Sequence, residues 1–309
     1  MNKEGMVSSH NAGKAVSVSE HSMPSLVTDL KSLLKLNVLI ANVLPVFTGF
    51  WLALYFTGVS FSAHWALFFL TMLGSTFVMA GALVINNWYD VDIDTIMDRT
   101  KNRPTVTGHI SLRTVLILGF SLSILGFIFL FFTTIEATVY AFIGWFTYVV
   151  LYTMWSKRKY TLNTVIGSVS GAVSPLIGWT AITSGFQLVP IVLFMILFIF
   201  QMPHTFAIAI RKHDEYKAAG VAMLPVVYGF EMTKRQILVY VACLLPLPFF
   251  IGVLGTTFLV IATLLNVGWI VLSINGFFAK DDEKWARWMF LYSVNYIAIL
   301  FILMVLVTF

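Results

Sequence analysis

The chain has 309 residues, of which 59% are hydrophobic and 11% charged, with a mean hydropathy of +0.89. That balance excludes an ordinary soluble domain and specifies an all-α, polytopic protein of the lipid bilayer. The net charge of +5 would suit nucleic acid, but the cations are spread by membrane topology, so no nucleic-acid partner is expected.

Residues 1–27 are polar and Ser-rich and read as a disordered cytoplasmic tail. No short apolar segment with a small-residue cleavage site precedes the first long apolar run, so no removable signal peptide is expected. Residues 28–309 then form one intramembrane domain. Nine apolar stretches reach the roughly 20 residues that a bilayer crossing needs: 36–56, 65–89, 112–132, 135–155, 163–184, 187–210, 235–254, 256–275 and 286–308.

Span one carries Asn37, Asn42, Pro45 and Gly49. An intramembrane Asn serves a helix–helix hydrogen bond or looks into a central cavity. Span two carries Gly74 and Gly81, small enough for a neighbouring helix to approach closely, and ends in the most polar stretch of the chain, Asn86–Pro104. Asp90, Asp92, Asp94 and Asp98 lie there, half of the eight Asp in the sequence. If helix continues through them, Asn86, Asp90, Asp94 and Asp98 recur every four residues on one stripe, with Asp92 on the other side.

Like charges at that spacing repel, and carboxylates beside hydrocarbon are costly, so the stripe needs a positive partner. Hard oxygen ligands suit Mg2+, which is commonly held by one or two carboxylates together with substrate phosphates. Arg99, Lys101 and Arg103 follow at once and suit the remaining phosphate oxygens. The pattern points to a metal-bound diphosphate; a solvated loop of mixed charge is the competing explanation. Pro104 disfavours helix at Arg103, and Gly108 supplies a turn before span three.

Spans three and four read as bundle wall, with Tyr148 and Tyr152 leading to Lys157 and Arg158. That helix end is either an interfacial anchor or a further phosphate contact. Span five opens at Asn163, a candidate cap, and repeats small residues at Gly167 and Gly171, a close-packing face. Span six is apolar until Gln201 and His204, one turn apart around Pro203, and is followed by Arg211, Lys212, His213, Asp214, Glu215, Tyr216 and Lys217. His204 is either a hydrogen-bonded packing residue or a functional one. In the last spans Pro246 and Pro248 predict tilted or kinked helices, and Cys243 lies in an apolar run, facing lipid or packed in the core.

All 19 Lys and Arg fall before span one or after spans two, four, six and eight. The positive-inside rule then puts the N-terminus in the cytoplasm, the C-terminus outside, and the polar loops on the cytoplasmic face of the cell's inner membrane. Two polar loops on one face of an apolar bundle suit a substrate with a polar head and a hydrocarbon tail, such as a prenyl diphosphate. The head would sit at the metal and the tail between helices, in a central cavity open to the cytoplasmic side.

The spacing Asn86-xxx-Asp90-xxx-Asp94, the nine spans and the second cytoplasmic loop resemble the UbiA-type intramembrane prenyltransferases. Five segments narrow the resemblance to the branch that farnesylates haem: Asn87 to Asp94 with Arg99 to Pro104; Tyr152 to Arg158; Gly178 to Ala181; Gln201 to His204; and Asp214 to Tyr216 with Ala219 to Pro225. The resemblance covers roughly residues 30–309. It implies transfer of a farnesyl group from farnesyl diphosphate to a vinyl group of haem B, with Mg2+ as cofactor and haem A synthase as a downstream partner. By position, Asn86, Asp90 and Asp94 would hold Mg2+ with Asp98 assisting catalysis. Asp214 would be a further metal ligand. Arg99, Lys101, Arg103, Lys157, Arg158, Arg211 and Lys212 would meet the diphosphate. Gln201 and His204 would face the haem, His204 either on the iron or on a propionate.

The second loop departs from the wider family, in which an Asp-rich second site is usual. Here only Asp214 and Glu215 are acidic, which speaks against a quinone-precursor ring or a chlorophyllide as the acceptor. A transporter would place charged groups near mid-membrane, whereas these acids sit at helix ends. A phosphatidyl-group transferase would carry an Asp-Gly-xx-Ala-Arg core, which is missing.

Overall fold

The structure is a computed structural model and describes residues 26–309, so most of the expected tail, 1–25, lies outside the described residues. Among the described residues every regular element is helical. A short helix α1 (Leu26–Leu33) begins inside the expected tail boundary and turns at Lys35 into α2 (Leu36–Thr57). Then come α3 (Phe61–Tyr89), the short α4 (Val91–Ile96) and α5 (Pro104–Thr107), α6 (Leu112–Phe131) and α7 (Ile135–Ser156). The second half comprises α8 (Asn163–Ala172), α9 (Ser174–Thr180), α10 (Leu188–Arg211), α11 (His213–Ala218), α12 (Leu224–Leu244), α13 (Leu247–Phe250), α14 (Thr256–Asn275) and α15 (Asp282–Leu306).

Seven of these helices are long and apolar enough to cross a membrane: α2, α3, α6, α7, α10, α14 and α15. The two other expected spans are present but interrupted. The fifth breaks at Val173 into α8 and α9, because Pro175 enters α9 without a backbone N–H to continue the ladder. The seventh begins eleven residues before the expected 235, is kinked at Gly229 (φ 78°), and stops ahead of Pro246. The expected break at Pro246 and Pro248 is thus observed, Pro175 adds a second, and Pro45 and Pro203 lie inside helices that run on through them. Arg103 is extended and Pro104 opens α5, so the expected break there is also observed.

Backbone-to-backbone contact, enabled by glycine, locks the bundle. A Cβ at Gly178 would lie 1.9 Å from the Val46 carbonyl oxygen, and one at Gly49 2.1 Å from that of Pro175, so α9 lies directly on α2. Gly81 likewise faces Gly119 and Ser123, joining α3 to α6. In the second half the largest apolar core gathers α10, α12, α14 and α15 around Trp269 and Tyr296. The Tyr296 hydroxyl donates to Asn266 Oδ1 at 3.1 Å, a helix–helix bond of the kind intramembrane Asn supplies. Cys243 is exposed on the bundle's outer surface rather than packed inside it.

A smaller apolar cluster fixes the position of the polar loops. Ile93 and Met97 of the first loop pack with Ala209, Val221 and Met223 and with Tyr216 of the second. Loops that follow spans two and six are thereby held against each other at one end of the bundle.

Gly178→Val should lower the thermal unfolding midpoint in detergent, since overpacking of this kind costs about 1–3 kcal/mol. Gly108→Asn, at a position with open space around it, should stay within about 0.5 kcal/mol of the parent. Equal midpoints for Gly178→Val and the parent would contradict the α2–α9 contact.

Candidate active site

The hydrogen-bond ladder of α3 runs past its formal end. Asp90 N–H donates to Asn86 O at 3.0 Å and Asp94 N–H to Asp90 O at 2.8 Å, which keeps Asn86, Asp90 and Asp94 on one face. Met97 is then extended, and the stripe ends. Asp98 falls outside it: its side chain is 75% exposed and pairs with Lys101 at 2.7 Å on the surface. The structure therefore places Asp98 and Lys101 at the surface, apart from the buried face of Asn86, Asp90 and Asp94. A helix that kept its register for one more turn would have been needed to include them.

The three retained side chains are buried, Asp90 at 1% and Asp94 at 4% exposure. Each meets a cation of the chain. Lys157 pairs with Asp90 and Arg103 with Asp94. Lys35 Nζ donates to Asn86 Oδ1 at 2.5 Å, while Asn86 Nδ2 donates to Asp90 Oδ2 at 2.7 Å and to Thr153 Oγ1 at 3.0 Å. Buried carboxylates are costly unless paired, and these pairs are what allow them to lie at an apolar helix end. Arg158 is engaged beside them: it donates to both oxygens of Asp92 at 2.6 and 2.7 Å, which holds that carboxyl below its usual range. Arg158 Nη2 stays 3.8 Å from Asp90 Oδ1.

Lys35 was read from the sequence only as a topological cation. No motif marks it. It sits at the α1–α2 hinge with φ 48°, and among the described residues it is the one non-glycine with positive φ. A strained backbone of this sort tends to persist at functional positions. The hinge is also anchored through its backbone, since Asn87 Nδ2 donates to Leu33 O at 2.6 Å. Burial and the neighbouring Arg103 and Lys157 push the Lys35 ammonium well below its ordinary pKa, against the opposing pull of Asp90 and Asp94.

The last turns of α7 are a π-helix, Thr147–Ser156, and Lys157 N–H bonds to Tyr152 O at 2.9 Å in that wider register. π-Segments recur at functional sites, and here the segment delivers Lys157 to Asp90 and Arg158 to Asp92. Asn163 does not cap α8. Instead its Nδ2 donates to Lys157 O and to Ala222 O, both at 3.1 Å, tying the π-segment to the chain just before α12.

Beyond the carboxylates lies a cavity of about 250 Å³ whose walls come from α2, α3, α7, α8, α9 and α10. Tyr148 and Tyr152, their ring centroids 5.6 Å apart and tilted by 30°, line it and lie within electrostatic reach of Asp90. Gly167 and Gly171 do more than pack helices. A Cβ at Gly167 would touch the Tyr152 ring at 3.0 Å, and one at Gly171 would meet Gln201 Oε1 at 2.6 Å, so their absent side chains make room for two cavity-lining residues. Gln201 is held by its Nε2, which donates to Ser168 O and Leu197 O at 3.0 Å each.

His204 parts from Gln201 around α10. Its Nδ1 bonds Ser293 Oγ at 2.7 Å, its ring lies between Phe200 and Phe290, and it is not among the cavity-lining residues. Arg211 lies on the same side, 5.3 Å over the Phe290 ring. Both are placed at the α10–α15 interface rather than with the carboxylates: three residues turn a helix through roughly 300°, so His204 falls about 60° around α10 from Gln201. Asp214 is also outside: its side chain is 96% exposed and bonded to His213. Its neighbours turn inward instead. Glu215 accepts from Lys212 at 2.6 Å and keeps Oε2 buried without a hydrogen bond, and burial holds the Tyr216 hydroxyl above its usual range within reach of Arg99 and Lys157.

Among the described residues no three His, Cys, Asp or Glu side chains form a ready metal-binding group. Asn86, Asp90 and Asp94 nonetheless offer hard oxygen donors, and Asp90 Oδ1 is buried with no hydrogen-bond partner, as a lone pair reserved for a ligand would be.

Residues 42–294 match the model of the UbiA prenyltransferase family. A protoheme IX farnesyltransferase of Oceanobacillus iheyensis is 53% identical over 99% of this chain and 98% of its own length. Protoheme IX farnesyltransferase 2 of Bacillus subtilis is 55% identical over 91% and 92%. Among solved structures, digeranylgeranylglyceryl phosphate synthase aligns with a TM-score of 0.72 at 19% identity, covering 91% of this chain and 98% of its own. A UbiA homologue from Archaeoglobus fulgidus bound to DMAPP and Mg2+ aligns at 0.69 and 18% identity, covering 89% and 99%. The helical bundle thus has a known fold, and the chain belongs to the UbiA prenyltransferase family.

Proposed function

We propose that this chain transfers the farnesyl group of farnesyl diphosphate to a vinyl group of haem B, releasing diphosphate and giving haem O. The observation that carries the reading is the buried face of Asn86, Asp90 and Asp94, ringed by cations and adjoining an apolar cavity. The choice of haem rests on relatives named for it that match nearly the whole chain at more than half identity.

The diphosphate takes the carboxylate end, where Lys35, Arg103 and Lys157 supply N–H donors to its oxygens. Mg2+ held by Asn86, Asp90 and Asp94 would neutralise charge on the leaving group. As the C–O bond breaks, its electron pair departs with the diphosphate and leaves an allylic cation. Tyr148 and Tyr152 present aromatic faces beside that position, and the surrounding hydrocarbon keeps water away. The vinyl π electrons of haem B then form the new C–C bond. The resulting cation takes a water molecule and loses a proton, which yields a hydroxyethylfarnesyl side chain. Gln201 faces the cavity and is assigned to the haem; His204 acts by holding α10 to α15.

The cation distribution supports a cytoplasmic location for this end, with the N-terminus on that side and the C-terminus outside. Haem O then serves an oxidase directly or passes to haem A synthase in the same bilayer.

Asp90→Ala and Asp94→Ala should each lower turnover by about 10²-fold or more, the scale on which transition-state charge stabilisation acts. Membrane insertion should persist, and chelating divalent metal should silence the parent reversibly. Activity within a factor of about two of the parent in either variant would exclude the metal assignment. Gln201→Ala should raise the KM for haem B by about tenfold and leave that for farnesyl diphosphate unchanged. His204→Ala should instead destabilise the fold by about 1–3 kcal/mol through the lost buried hydrogen bond and ring packing, and so lower the thermal midpoint. A selective loss of haem affinity in His204→Ala, with the midpoint unchanged, would return that residue to the haem site.

A further inference from the structure

Each of the three side chains assigned to the metal is already taken by a cation from a different part of the chain. Lys35, from the α1–α2 hinge, holds Asn86; Lys157, from the π-segment, holds Asp90; Arg103, from the turn before α5, holds Asp94. Three basic side chains therefore occupy the oxygens of one amide and two carboxylates in a buried pocket. Arg158 does not change this balance, because Asp92 occupies it with two hydrogen bonds.

A bare divalent ion entering such a pocket would have to displace those partners from the oxygens it needs and would leave Arg103 and Lys157 unpaired beside it, in surroundings where repulsion is poorly screened. A metal that arrives with diphosphate brings a net anion instead, and every resident cation gains a phosphate oxygen in exchange for the ligand it yields.

We propose that Lys35, Arg103 and Lys157 keep this site closed to free divalent metal and admit it only together with diphosphate, Lys35 being the cation that moves. The inference rests on the metal–diphosphate reading of the site given above. Lys35 is singled out by three observations. It holds a neutral amide rather than a carboxylate, its backbone is left-handed, and it stands on a hinge between two helices. Asn86 and Asn87, adjacent on α3, grip its side chain and the preceding hinge carbonyl of Leu33 respectively, so release of one need not release the other.

The test is equilibrium dialysis of the full chain in detergent with Mn2+ alone, inorganic diphosphate alone, and both together. In the parent, Mn2+ should be retained about tenfold more tightly with diphosphate than without it. Lys35→Gly removes the ammonium and suits the left-handed backbone, and Lys35→Gln keeps a polar group of similar reach. Both should bind Mn2+ alone about fivefold to tenfold more tightly than the parent while losing affinity for diphosphate. A merely structural lysine would weaken both ligands together. Parent protein that binds Mn2+ equally well with and without diphosphate overturns the proposal, as do Lys35 variants whose affinity for Mn2+ alone is unchanged or reduced. Parent protein that retains neither ligand in any arm overturns the metal–diphosphate reading itself.

Discussion

Two carboxylates buried at the end of a hydrocarbon helix are the constraint around which the rest of this bundle is arranged. Asp90 and Asp94 lie at 1% and 4% exposure, where an unpaired charge would cost several kcal/mol and unfold the helix end or force protonation. Lys157 and Arg103 meet that cost from two other segments. Neither the end of α7 nor the turn before α5 can drift from α3 without stranding a charge, so the electrostatics of the site hold these segments together.

Several irregular features follow from the same demand. The π-segment at the end of α7 shifts register so that Lys157 and Arg158 reach two different Asp residues, and Asn163 fastens its end to the chain before α12. The first loop is sealed to the second by Ile93, Met97 and Tyr216. Gly167 and Gly171 leave the volume that Tyr152 and Gln201 occupy at the cavity wall. Polar binding and hydrocarbon shielding are thereby brought within one turn of each other, as a prenyl diphosphate requires.

Much of this was legible in the residue pattern. Hydropathy located the seven long helices and, less closely, the two interrupted ones, glycines at 74 and 81 marked the α3–α6 seam, and the four-residue spacing from Asn86 to Asp94 survived because the helical ladder continues across Asp90. Other features depend on contacts that periodicity does not carry. The stripe failed at Asp98 because the Met97 backbone extends, and Pro175 and Pro246 broke two spans that composition made look continuous. His204 and Gln201, one turn apart in the sequence pattern, diverged because three residues fall about 60° short of a full helical turn, enough to carry His204 to Ser293 of α15. Lys35 was hidden for a different reason: its importance arises from a left-handed hinge and a partner 51 residues away. Asp214 and Glu215 could not be ranked from the sequence, since which of two neighbours turns inward depends on the packing of Tyr216.

The most direct measurement is mass analysis of the haem recovered after purified chain is incubated with Mg2+, farnesyl diphosphate and haem B. A heavier, more hydrophobic haem carrying one hydroxyethylfarnesyl group, formed together with stoichiometric diphosphate, is the result this account requires. Unaltered haem B from folded, membrane-competent protein would contradict it.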